Sequence, residues 1–329
     1  MQGGAATVGW RDGAVSSGAD GRNPTVGVLW AIATATAYSL SSVVGKDLLG
    51  KFGAESVLFW RFGVASAMVW PVLLIWRGRG GPDPFTVPWS RALFVGVMFG
   101  LMVYTGFLSL QYLDVSMYIV LVYLYPVLVV VAMSLMGHHV SGQTWVALAV
   151  VMVGVVLTVP ELFGGVGDVS ALGVALVLLQ ACLMAAFMIV SSRLLPGHIN
   201  GVVSAAWTVL GATLAMTPLA LGGGLVVPHG ASMIAKVLLF ALVPTLLSSV
   251  FFYRALRHLP PGLMAMIMTV EVAMAIFLSV LFLGETVSGM QLLGAAVVIG
   301  GVLLAQAASV REARQRPEMD DAWVATPGV

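Results

Sequence analysis

A carboxylate in the middle of an apolar run is the first place to look for chemistry in this chain. Glu271 lies about twelve residues from either end of such a run, near the centre of a bilayer if the run is a membrane-crossing helix. A charged group there costs roughly 2.5–3.5 kcal/mol on insertion scales, so acids at that depth normally face a cavity or a partner. Glu271 can therefore carry a proton or balance a substrate amine; a neutral Glu hydrogen-bonded to a neighbouring helix is the structural alternative. Arg61 sits six residues into another apolar run. It can bind a substrate carboxylate or gate the outer mouth, or it can snorkel outward and anchor the helix with Glu55 or lipid headgroups. Tyr38, Ser41, Tyr104, Tyr123, Gln180, Ser248 and Tyr253 form a polar and aromatic set within the other runs. Together they could line a cavity, although interhelical hydrogen bonding is the commoner use of any single tyrosine or serine. Gln180 is the most informative, since a buried amide requires several partners.

Other chemistries find no residues to support them. The single cysteine, Cys182, excludes an intramolecular disulfide. The five histidines (138, 139, 198, 229 and 258) fall near the ends of runs and lack ligand spacing, so neither a metal nor another cofactor is expected. A net charge of +1 gives no basic field for nucleic acid. No Walker-type phosphate loop is present.

The elements that position these residues follow from composition. Of 329 residues, 60% are hydrophobic and 9% charged, and the mean hydropathy is +1.02. That is too little charge to cover a water-facing surface, which excludes a soluble enzyme domain and leaves an all-α, polytopic membrane protein. Intervals free of Asp, Glu, Lys and Arg predict spans at about 25–46, 55–76, 91–112, 115–137, 143–161, 170–194, 200–221, 232–254, 260–283 and 288–309, ten transmembrane helices in all. Residues 1–24 and 310–329 read as polar tails, the first disordered and without the apolar core of a signal peptide. With the N-terminus in the cytoplasm, eleven arginines fall inside and only Lys46, Lys51 and Lys236 outside. This bias puts both termini in the cytoplasm. Abundant Arg, Ala and Gly beside sparse Lys suit a bacterial inner membrane.

The chain also repeats itself. A shift of 146 aligns Gly27 with Gly173, Ala35 with Ala181 and Leu113 with Leu259; a shift of 147 aligns Trp60 with Trp207, Pro71 with Pro218, and the Val140-Ser141-Gly142 turn with Val287-Ser288-Gly289. Two five-helix repeats result, over 25–161 and 170–309 with a connecting loop at 162–169. Five is odd, so the second repeat is inverted relative to the first, an arrangement that suits a transporter with a midplane site. Pro126 and Pro244 fall mid-helix and permit bends. Gly96 and Gly100, four apart, allow close helix approach.

On these features the chain resembles the EamA branch of the drug/metabolite transporter superfamily. The resemblance rests on the two five-helix halves, Leu283-Gly284-Glu285 ending the ninth helix, Tyr253-Arg254-Ala255-Leu256 followed by a helix carrying Glu271, and Phe59-Trp60-Arg61-Phe62 in the second helix. It covers about residues 25–309. It implies a permease whose first, third, fourth, sixth, eighth and ninth helices wall the pathway. Two positions depart from the family pattern: His138 stands where a glutamate is expected, and Val272 where proline usually follows the acidic residue. The function expected is a secondary exporter of a small, amino-acid-like metabolite. An intramembrane enzyme and a non-transporting scaffold are the alternatives, the enzyme disfavoured because Glu271 has no second deep acid. Partners are the substrate and the lipid bilayer, with a homodimer left open.

Overall fold

The computed structural model describes residues 23–49, 51–85, 87–113, 115–138, 140–159, 170–195, 199–283 and 288–315, all helix or connecting turn, with no strand among them. The expected N-terminal tail, the 162–169 loop and most of the C-terminal tail lie outside these residues. The helices are α1 (Pro24–Leu49), α2 (Ala54–Gly78), α3 (Trp89–Ser109), α4 (Val115–Val122), α5 (Tyr125–Leu135), α6 (Gly142–Leu157) and α7 (Ala171–Leu194). They continue with α8 (Gly201–Gly222), α9 (Ala231–Ala241), a π-helical turn (Leu242–Leu247), α10 (Ser248–Leu256), α11 (Pro261–Met268), α12 (Val270–Leu283) and α13 (Gly289–Gln315). The last helix runs to Gln315, beyond the expected end at 309.

Eight helices among the described residues are long and apolar enough to cross a membrane; α4–α5 count as one such stretch (Met117–Leu135), α9–α10 as another, and α11–α12 as a third (Pro261–Leu278). Outside that set falls α6, apolar but only 16 residues long, while α1 carries Thr34, Thr36, Tyr38, Ser39 and Ser41 along its length. Those hydroxyls face the protein rather than lipid at Thr34 and Ser39, both fully buried.

Contacts between the two sequence repeats obey a two-fold relation. A Cβ added at Gly27 of α1 would meet His258 and Leu259 beyond α10; one added at Gly173 of α7 would meet Tyr112 and Leu113 beyond α3. Trp60 of α2 donates its indole N–H to Val226 O, in the loop after α8 (2.9 Å). Trp207 of α8 donates to Pro84 O, in the loop after α2 (2.8 Å). Each repeat is thus pinned by a tryptophan reaching into the other, which is why the aligned pair is Trp rather than any apolar residue.

Equivalent helices meet antiparallel. Along α2 and α8, Glu55 lies against Gly223, Gly63 against Thr213, and Trp70 edge-on to Trp207 at 4.8 Å. Along α6 and α13, Gly154 lies against Val298, Gly294 against Thr158, and Gly301 against Val151. Numbers rise on one helix as they fall on the other. At Gly294 an added Cβ would sit 2.6 Å from the Thr158 backbone nitrogen, a neighbour that cannot swing aside. Gly294→Val is therefore expected to destabilise the α6–α13 pair by about 1–3 kcal/mol, read as a lowered unfolding temperature in detergent. The Gly96 and Gly100 face of α3 packs on Gly211 and Ala212 of α8, the close approach that their spacing anticipates.

Candidate functional site

Arg61 enters the site from α2 and is 2% exposed. It neither snorkels outward nor meets Glu55. Its Nε donates to Thr245 Oγ1 (2.7 Å), Nη2 to Pro244 O (3.0 Å) and Nη1 to Ser41 Oγ of α1 (3.3 Å). The guanidinium also lies over the Phe240 ring at 4.5 Å, a favourable cation–π geometry.

The reason for this inward turn lies in the third helix of the second repeat. Pro244 has no N–H to give the preceding turn, which leaves carbonyls unsatisfied in a helix that has no water to call on. The chain answers with the π-helical turn at Leu242–Leu247. Thr245 Oγ1 donates to Phe240 O (2.9 Å), and Ser248 Oγ donates to Pro244 O (2.8 Å). Pro244 O and Thr245 Oγ1 retain acceptor capacity, and Arg61 takes it up. In the first repeat α3 is regular at this level, and Thr208, which aligns with Arg61, bonds Tyr253 Oη instead (2.6 Å).

Glu271 is carried by the first turn of α12, just past a helix break. Around Thr269 the bonding shortens to i→i−3 pairs, Thr269 N–H to Met266 O (3.2 Å) and Val272 N–H to Thr269 O (3.1 Å). Thr269 Oγ1 also donates to Met266 O (2.6 Å). The break gives α12 an N-terminus inside the bundle, and the first turn of a helix favours an anion. The same break occurs 146 residues earlier, between α4 and α5, where Leu124 N–H turns to Leu121 O (3.2 Å). Tyr125 there occupies the place of Glu271 and donates to Ala265 O of α11 (3.2 Å). Breaking at both places is thus a property of the fold, not of Pro126 alone.

Arg61, Tyr38, Tyr118, Tyr123 and Tyr125 all interact electrostatically with Glu271. Arg61 and Glu271, one from each repeat, make no direct salt bridge. A buried cation and a carboxylate thus stand near each other with the phenol of Tyr38 in the field of both.

The other expected residues divide by depth. Gln180 of α7 joins the central group, its Nε2 donating to Tyr118 Oη (3.0 Å). Ser41 belongs there through Arg61. Ser248 is buried; its hydroxyl donates to the π turn and also hydrogen-bonds Tyr38, which ties the turn to the central group. Tyr104 departs from the group: its hydroxyl donates to Glu55 Oε1 (3.2 Å), at the far end of α3. Tyr253 sits toward the opposite end, bordering a small cleft lined also by Ser192, Ser204 and Arg257. Three residues that sequence reading missed, Tyr118, Tyr125 and Thr245, complete the arrangement. Only the mirror position of Tyr125 to Glu271 offered a signal for any of them. Among the described residues no group of three or more His, Cys, Asp or Glu is placed to hold a metal.

This geometry sits in a known framework. The EamA-like transporter family model matches residues 25–159 and again 171–306. The chain belongs to that family. Within its relatives, the threonine/homoserine exporter RhtA of Escherichia coli, in three strains, is 27% identical over 278 residues, covering 84% of this chain and 90% of RhtA. A solved crystal structure superposes with a TM-score of 0.73 at 17% identity, covering 88% of this chain and 99% of that one. As an EamA-like family member the chain is a membrane transporter.

The family departures can now be placed. Val272 does not remove the break before Glu271, because Thr269 supplies it. His138 follows α5, half-buried, and burial together with nearby Arg193 holds its pKa below the ordinary 6.5. The unfolded chain therefore takes up this proton more readily, and the stability that His138 contributes is present above about pH 6.5 and lost as pH falls through the lower folded value. His138→Gln is expected to lose less thermal stability than the unaltered protein between about pH 7.5 and pH 5, as a difference in unfolding temperatures would show.

Proposed function

We propose that the protein is a secondary exporter of a small, amino-acid-like metabolite. It works by alternating access between two inverted five-helix repeats, 25–161 and 170–309, that cross the bilayer ten times. The antiparallel meeting of equivalent helices supports the inversion, and the arginine distribution supports cytoplasmic termini in a bacterial inner membrane. The observation that carries the substrate class is the pair of inward charges: buried Arg61 from one repeat and half-buried Glu271 from the other, near each other yet unbridged. A zwitterion placed between them meets a partner for its carboxylate and a partner for its ammonium, and its entry offsets the cost of holding both charges inside the bundle. RhtA exports threonine and homoserine by name, which makes those two the first candidates here.

Arg61 is engaged by the π turn in this conformation. Rocking of the repeats would separate α2 from that turn, and the substrate carboxylate would then inherit the guanidinium. In the empty carrier a proton on Glu271 would do for the carboxylate what the substrate ammonium does in the loaded one. The test is counterflow in proteoliposomes preloaded with unlabelled amino acid. Accumulation of labelled L-threonine or L-homoserine above the empty-vesicle level supports the proposal. Absence of counterflow with every amino acid of a full panel removes the substrate class.

A further inference from the structure

The Gln180 carboxamide uses only half of its hydrogen-bonding capacity. Its Nε2 is spent on Tyr118 Oη, while Oε1 is buried with no hydrogen-bond donor. A buried acceptor without a partner is costly, and native cores seldom keep one. Space for it has been made: the amide lies over Gly106 of α3, where any Cβ would come within 2.6 Å of Cδ and Oε1. The fold itself does not require this notch. Under the two-fold relation, Gly106 and Gln180 correspond to Phe252 and Thr34, and Thr34 satisfies itself on Trp30 O (2.8 Å). One repeat thus packs an aromatic ring where the other has cleared room for an amide.

We propose that Gln180 Oε1, oriented by Tyr118, accepts a hydrogen bond from the substrate's ammonium group and makes the carrier selective for primary amines over N-methylated ones. This rests on the amino-acid-like reading above and adds which end of the zwitterion is read by hydrogen-bond donor count. Tyr118 interacts electrostatically with Glu271, so the amide is one side chain removed from the carboxylate that balances the same ammonium. A carboxylate alone attracts any cation, including a quaternary one. A neutral acceptor rewards only a cation that carries N–H, and a primary ammonium offers three.

Isothermal titration of the full-length protein in nanodiscs with L-threonine and N,N,N-trimethyl-L-threonine tests this. Gln180→Leu is expected to weaken L-threonine binding about tenfold, the scale of a hydrogen bond to a charged group, and to leave the trimethyl compound's weaker binding unchanged. Equal loss for both ligands, or no loss for L-threonine, overturns the inference while leaving the transporter reading intact. Binding of neither ligand to the unaltered protein overturns both. If Gln180→Leu does not fold, Tyr118→Phe, which frees the amide to rotate, must show the same selective loss of L-threonine binding in smaller measure; a loss shared by the trimethyl compound rejects the proposal.

Discussion

Glu271→Gln is expected to cut efflux driven by a pH gradient at least tenfold and to flatten its pH dependence, with the protein still folded. The carboxylate lies in the first turn of α12 inside the bundle, where a charge costs roughly 2.5–3.5 kcal/mol on insertion scales. Gln keeps the shape and removes that cost, so folding has no reason to suffer. Arg61, the nearest cation, does not depend on Glu271 for its hydrogen bonds, since all three go to α1 and the π turn. In the proposed cycle, what the variant loses is the ability to be charged when an ammonium is present and neutral when it is not. Flux in reconstituted vesicles, measured across a series of internal and external pH values, reads this directly. A variant whose flux keeps the parent's pH profile would take Glu271 out of the coupling step and return it to a packing role.

The frame of the molecule was legible in its charges. Gaps between Asp, Glu, Lys and Arg locate nearly every helix end to within a few residues, because a charge in lipid is expensive whatever its neighbours are. The repeat was legible where residue type is demanding: Gly27 and Gly173 sit under bulky loop residues, and Trp60 and Trp207 reach across to opposite loops. The breaks were only half legible. Pro126 announces one, but Thr269 breaks its helix with nothing more than a hydroxyl and a change of hydrogen-bond register. Depth along a helix could be counted from the sequence, direction around it could not. Arg61 could be counted six residues into its run, but two of its three partners, Pro244 and Thr245, are more than 180 residues away, and no spacing rule connects them. Sequence reading singled out Tyr104 and passed over Tyr118, though both are tyrosines in apolar runs; one meets Glu55 near a helix end, the other Gln180.

Replacing Arg61 separates a carrier's moving contact from a fixed strut. Arg61→Met is expected to keep the unfolding temperature within a few degrees of the parent while lowering flux at least tenfold. Three hydrogen bonds are lost, each to a neutral acceptor, but so is the penalty for burying a charge, and replacing buried ionic groups by apolar ones of similar volume is often neutral or stabilising. Met also keeps a side chain against Phe240, where Ala would leave a cavity that itself costs about 2–5 kcal/mol. Pro244 O loses the guanidinium but keeps the Ser248 hydroxyl, and Thr245 still reaches Phe240 O, so the π turn survives. What disappears is a contact that joins α2 of one repeat to the third helix of the other and that, in the proposed cycle, passes to a substrate carboxylate when they part. Thermal unfolding and counterflow on the same preparation decide between the roles: a large drop in unfolding temperature with normal flux per folded molecule would mark Arg61 as a strut, and the carboxylate would then need another partner.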